Sequence, residues 1–334
     1  MLRRTFATLL AGGMGGLLLP LGRPARAFSP PAAKVIVGVQ LSGTARWEMD
    51  VILNEGLDRK HGVEIELIDV ADKQAGHVAL MSGAADIILS DYVWVASLRA
   101  AGEDLTTVPH SLAVGGLIVP PDSGIASVAD LAGRRIGIAG GPVDKSWIVL
   151  QAFYAHETGQ PLAEAVTTDF GAPPLVNELL TEGQIDAALN FWHFNARAKA
   201  QGMQELLTVS EMLEGLGVTT QPPLLSWVFR EETAAEKGDA IRGFLDASWE
   251  AKGLLREDDA IWESLRETMN ATGDDALFTQ LRDDYRRGII TGYDEATVTA
   301  AAEAFAMMAD YGGPELVGDS ATMDPGTFWA GWRP

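Results

Sequence analysis

Short apolar runs alternate with longer amphipathic stretches along most of the chain, the pattern of strands alternating with helices. Residues 35–40, 63–70 and 86–89 read as strands, and residues 46–60 and 74–81 as helices. A Ser42-Gly43 loop joins the first strand to its helix. The same order then returns: strand 135–139, loop Gly140-Gly141-Pro142, helix 144–158, strand 166–170, helix 173–182 and strand 185–189. Such alternation predicts an α/β protein with mainly parallel sheets flanked by helices. Beyond residue 230 the pattern turns helical, over 239–256, 258–269, 274–288 and 295–309. Their charged pairs (Asp258-Asp259, Asp283-Asp284, Arg286-Arg287) read as solvated surface.

The two α/β stretches are copies of one another at an offset of 100 residues. Gly83, Asp86, Leu89 and Gly102 recur as Gly183, Asp186, Leu189 and Gly202, Leu80 matches Leu180, and Trp47 matches Trp147. The texture repeats too: D-I-I-L-S-D-Y-V-W at 86–94 answers D-A-A-L-N-F-W-H-F at 186–194. A repeat on this scale predicts two lobes of one architecture. Apolar, proline-marked segments at 114–121 and 216–229 read as crossings between them. The expected division is lobe 1 from 34–118 plus 219–334, with 312–334 wrapping it, and lobe 2 from 119–218.

Composition then narrows the setting. Residues 1–27 hold a basic start (R-R-x-F from Arg3), a glycine-diluted apolar middle and an Ala25-Arg26-Ala27 cleavage pattern, which predicts a twin-arginine-like export signal and a periplasmic product. The formal charge is −21, and loss of the four arginines in that segment lowers it to −25. Such acidity argues against nucleic acid as a partner. There is no cysteine, which excludes disulfides, thiolate metal ligands and cysteine nucleophiles. Five scattered histidines show no metal-ligand spacing, no cofactor motif is present, and a monomer is expected.

Three segments carry a family likeness: G-A-A-D-I-I-L-S-D-Y at 83–92, V-P-P-D-S-G-I-A-S-V-A-D-L-A-G-R-R-I-G-I at 119–138, and G-Q-I-D-A-A-L at 183–189. With them the chain resembles, over residues 34–260, the periplasmic substrate-binding proteins of nitrate/sulfonate/taurine-type ABC importers. The resemblance implies a two-lobed fold, a cleft that closes on a small molecule, and docking on a membrane permease with its ATPase. It implies a binding protein and not an enzyme. The loop G-G-P-V-D-K-S-W at 140–147 departs from the usual Gly-Ser type loop of that family, so the ligand class stays open.

Ligands of such sheets sit at the carboxyl ends of the strands, where loops enter helices. That places Ser42, Gly43, Gly140, Gly141 and Ser146 at helix starts suited to an anion. Asp144 reads equally as a helix cap or a ligand contact, with Lys145 beside it. Trp47, Trp94, Trp147 and Trp192 fall at strand-to-helix junctions and are candidates to stack on the ligand, with core packing as the alternative. Asp91, Asn190 and His193 lie on the same strand ends. Two other readings are open: a metal or metal-complex carrier using Glu48, Asp50, Asp91 and Asp144, and an enzyme similar to thiamine-pyrimidine synthases, whose cysteine-rich motif this chain lacks.

Overall fold

The computed structural model describes residues 33–40 and 43–334, so the expected export signal and Ser42 lie outside the described residues. The first α/β stretch comprises β1 (Ala33–Gln40), α1 (Ala45–Asn54), α2 (Leu57–Lys60), β2 (Val63–Val70), α3 (Lys73–Met81), β3 (Ile87–Ser90), α4 (Tyr92–Ala100) and β4 (Leu105–Ser111). The second comprises β5 (Gly115–Val119), β6 (Arg135–Ala139), α5 (Lys145–Thr158), α6 (Leu162–Ala165), β7 (Thr167–Gly171), α7 (Pro173–Thr181), β8 (Ala187–Phe191), α8 (Trp192–Ala200), β9 (Gln204–Thr208) and α9 (Val209–Gly215). The chain then returns through β10 (Leu225–Arg230) to α10 (Glu231–Glu236), α11 (Gly238–Glu257), α12 (Asp259–Glu263), α13 (Asp275–Arg287) and α14 (Glu295–Val317).

Among the described residues, ten strands form two five-stranded sheets of identical plan. Their orders are β2-β1-β3-β10-β4 and β7-β6-β8-β5-β9. In each, the inserted strand runs antiparallel to both neighbours and comes from the other lobe's connection. The crossings are therefore not loose extended links: each becomes a sheet strand as soon as it arrives. Because β5 opens at Gly115, the first crossing lies before 115, ahead of the boundary expected after 118.

The repeat is a repeat of folding instructions. Asp86 and Asp186 each turn back to accept a strand's backbone N–H, from Ile36 at 2.9 Å and from Arg135 at 2.8 Å. This is why β3 and β8 start one or two residues later than the apolar pattern suggests. Gly83 and Gly183 (φ 75° and 69°) take the left-handed turn that precedes each, a conformation that favours glycine.

The expectations are corrected in four places. The helix expected over 46–60 is two helices, because Gly56 adopts φ 67° and breaks it. That expected over 258–269 stops at Glu263 and continues as turns. Strands β4 and β9 were not foreseen, and Asp284, read as solvated, is buried. The C-terminal segment packs on the first sheet as expected: Trp329 N–H donates to Thr107 O at 2.8 Å, and Trp332 Nε1 to Asp246 at 2.8 Å. One continuous apolar cluster includes residues of both sheets. No helix among the described residues is long and apolar enough to cross a membrane.

Candidate functional site

Helices α3, α4 and α5 begin at the carboxyl ends of β2, β3 and β6, and each is capped by an aspartate. Asp72 accepts from Ala75 N–H, Asp91 from Trp94 N–H and Asp144 from Ser146 N–H. The first residue of α3 is Lys73 and that of α5 is Lys145. A lysine at the positive end of a helix is misplaced against the dipole, and here it occurs twice. Both ammonium groups turn to one carboxylate: Lys73 Nζ lies 2.7 Å and Lys145 Nζ 3.0 Å from Asp91 Oδ2. Lys145 belongs to the second lobe and Asp91 to the first, so the pair spans the lobes.

Asp91 is 3% exposed. Burial alone would raise its pKa, but Lys145, Lys73 and the Trp94 N–H outweigh it and hold the carboxyl far below the usual range. On the same corner His77 Nε2 meets Ser90 Oγ at 2.8 Å, and its ring lies flat on Trp94 at 3.5 Å. Burial, then the charge of Lys73, push the His77 pKa down to about 4, so the ring is neutral at pH 7.

The other expected residues divide sharply. Gly140 (φ 93°) shapes the exposed loop ahead of Lys145, and its N–H donates to Gly171 O at 3.0 Å. Gly141 has open space around its Cα, and Gly43 makes a tight turn by donating to Gln40 O at 3.0 Å. Ser146 is buried. Asn190 spends its whole amide inside its lobe: Nδ2 donates to Pro173 O and Asn177 Oδ1, both at 2.9 Å, and Oδ1 accepts from Phe191 N–H. No amide N–H of Asn190 is left to donate to a ligand.

The tryptophans also sort differently from the expectation. Trp47 is 3% exposed, in a ring cluster with Trp192 (5.9 Å), Tyr285 (5.9 Å) and Trp262 (6.3 Å). Trp192, from the second lobe, is nearly as buried and also meets Tyr285 at 5.9 Å. Trp147 is 4% exposed, edge-on to Phe170. Core packing therefore accounts for three of the four rings; Trp94, partly exposed beside Asp91, is the one at the charged corner. His193 is half-buried with Nδ1 unpartnered, and burial followed by Arg197 lowers its pKa to about 3.

The carboxylates of the metal reading do not converge. Glu48 is buried against Lys252, Ser248 and Tyr285, while Asp50 pairs with Arg46 and Thr268. No group of three or more His, Cys, Asp and Glu suited to a metal is found among the described residues. Sequence reasoning missed Lys73 and His77. The dipeptide Asp-Lys, present at both 72–73 and 144–145, was the available signal for Lys73.

Two sheets of one plan, joined by swapped antiparallel strands and meeting at helix starts, define the two-lobed periplasmic-binding-protein fold. The chain belongs to the NMT1/THI5-like family, whose model matches residues 54–258. In structure it is similar to the alkanesulfonate-binding protein SsuA of Xanthomonas axonopodis pv. citri, bound to MOPS (TM-score 0.69, 17% identity, 90% of this chain and 99% of that one). It is similar too to the periplasmic aliphatic sulphonate binding protein SsuA of Escherichia coli (0.69, 19%, 90% and 98%). A more distant likeness is to the desulfurization enzyme DSZB (0.55, 15%, 84% and 92%). No curated protein matches the chain in sequence.

Proposed function

We propose that this protein is the solute-binding component of an ABC importer, exported to the periplasm with its leader removed near Ala27, and working there as a monomer. It holds a small organic anion between its lobes and delivers it to a membrane permease served by an ATPase. The observation that carries this reading is the cross-lobe corner of Lys145, Asp91 and Lys73. Each ammonium group keeps N–H donors beyond its bond to Asp91, where this fold class takes its ligands. Phe170, Leu175 and Val143 are exposed apolar side chains at or beside the strand ends of the second lobe, which suits an organic body on the anion.

The sulfonate-binding neighbours support a binder over an enzyme, since they align at 0.69 against 0.55 for the desulfurization enzyme. The absence of cysteine removes the motif of the thiamine-pyrimidine-synthase alternative. A thermal-shift panel of ethanesulfonate, taurine, nitrate, a pyrimidine and zinc chloride tests the reading. A ligand at a hundred times its Kd stabilises by about 2.7 kcal/mol. Stabilisation by an organic anion is expected; stabilisation by zinc alone, or by no anion, overturns it.

A further inference from the structure

The second lobe sends two lysines across to the first, at different places on the shared face. Lys145 reaches Asp91 at 3.0 Å, with side chains 12% and 4% exposed. Lys199, on α8, reaches Asp284, on α13, at 2.8 Å, with side chains 14% and 5% exposed. Both pairs are largely withdrawn from water, and Asp91, Lys199 and Asp284 each keep a second partner in their own lobe, in Lys73, Glu205 and Arg287. Their surroundings differ.

Around Lys199 the first crossing passes from lobe to lobe and is bonded at both ends. At its second-lobe end Trp192 N–H donates to Val114 O at 3.1 Å, and at its first-lobe end Leu112 N–H donates to Gly288 O at 2.9 Å. Arg197 donates to Met269 O at 2.8 Å, and α8 packs along α13. The crossing lies so close to the end of α13 that a Cβ on Gly288 would fall 2.3 Å from Ala113 Cβ. A cavity of about 160 Å³ lies here, lined by Trp192, Lys199, Asp284 and Arg287 among others, which leaves room for a small rotation.

Around Lys145 the connection is by side chain. The lysine opens α5 directly after the exposed loop of Gly140, Pro142 and Val143, and its ammonium group bonds Asp91. Helix α14 packs on α5 as well as on α4.

We infer that Lys199–Asp284 marks the pivot of lobe opening and Lys145–Asp91 its latch. Opening rotates the lobes about the seam of α8 and α13, keeps the first pair and breaks the second. The two crossings are then not the whole hinge; the α8–α13 seam is its third element. The latch partner is one of the two lysines assigned above to the incoming anion, so ligand binding and lobe opening draw on the same ammonium group. This inference rests on the two-lobed binder reading, and its test does not require the ligand.

The chain has no cysteine, so labels can be placed at will. Glu64→Cys in the first lobe and Glu164→Cys in the second, both exposed, take spin labels for distance measurement by pulsed electron resonance. In that background Lys145→Met is expected to move the distance distribution to longer values while unfolding stays cooperative. Asp91→Asn, which can still cap α4, should do the same and serves if the first variant folds poorly. Lys199→Met is expected to lower the melting temperature without lengthening the main distance. An unchanged distribution in both latch variants, or equal lengthening in Lys199→Met, overturns the assignment. If the latch variants lengthen the distance but no anion binds, the inference stands and the proposed ligand class falls; the reverse result separates them the other way.

Discussion

The turn after β3 and the turn after β8 occupy the same place in the two sheets, yet only one carries charge. Their frames share a contact. In the first lobe residue 77 meets residue 90 as His77 and Ser90; in the second residue 177 meets residue 190 as two asparagines. The charged positions of the corner all differ at the 100-residue offset. Asp91 answers Phe191, Lys73 answers Pro173, and Lys145 answers Ala45. What the lobes share is what folds them, and what they do not share is where the candidate binding chemistry sits. The matched tryptophans, Trp47 and Trp147, fall on the shared side of this division, where core packing and not the cleft accounts for them.

The largest effect expected from this comparison concerns those two rings. Replacing a buried tryptophan by alanine costs about 3–5 kcal/mol, and both fall in that class. Trp47 should stand at the upper end, because it packs on three other rings, one of them from the second lobe. Trp147 should stand lower, because its edge contact is to the partly exposed Phe170. Chemical denaturation of Trp47→Ala and Trp147→Ala checks this. A Trp147→Ala protein of undiminished stability but weakened ligand affinity would return that ring to the cleft.

A smaller, pH-dependent effect separates the two frames. His77 is neutral in the folded state with a pKa near 4, against about 6.5 in an unfolded chain. A folded pKa below the unfolded one means that the unfolded state binds the extra proton. The stability due to the neutral ring is therefore complete above about pH 6.5 and is lost as pH falls towards 4. At about 1.4 kcal/mol per unit, the loss is at most about 3 kcal/mol. His110 and His193 are also lowered by burial and add to the same slope, so the informative quantity is a difference. His77→Asn, the residue the second lobe uses, should flatten the fall in melting temperature between pH 6.5 and 4. Parallel curves for the variant and the parent would show that His77 is not held neutral.

How much of this was legible beforehand follows from the same contrast. Strands, their order and the lobes could be read because alternation and the repeat are local. Strands β4 and β9 were not, since β4 carries Pro109 and His110, β9 is a short, partly exposed edge strand, and both find partners only through strands from the far side of a crossing. Asp91 and Lys145 were picked out from strand ends, but their pairing is a contact between lobes that no local pattern encodes. Lys73 was lost because the helix was started one residue late, at Gln74. Tyr285 and Asp284 were lost because their run of charges resembles a solvated helix face until α8 is laid upon it.

The smallest effect tests the remaining ambiguity, whether Asp144 caps a helix or meets a ligand. Its counterpart at the offset is Thr44. Thr44 stands at the N-cap of α1 with helical φ and ψ and no side-chain bond to the helix. Asp144 stands at the N-cap of α5 in extended conformation and accepts from Ser146 N–H at 2.9 Å. A cap removed by alanine costs about 1 kcal/mol, whereas a position that makes no cap bond has little to lose. Asp144→Ala should therefore lower stability by about 1 kcal/mol and Thr44→Ala by a few tenths at most. Asp144→Asn divides the two roles, because asparagine caps as well as aspartate but carries no charge. If capping is the whole role, Asp144→Asn should melt with the parent and bind an anion at least as tightly, having removed a negative charge near Lys73. A variant that melts normally but binds an organic anion markedly more weakly would make the Asp144 carboxylate a ligand contact, and would mean that the ligand carries a donor or a positive group beside its anion.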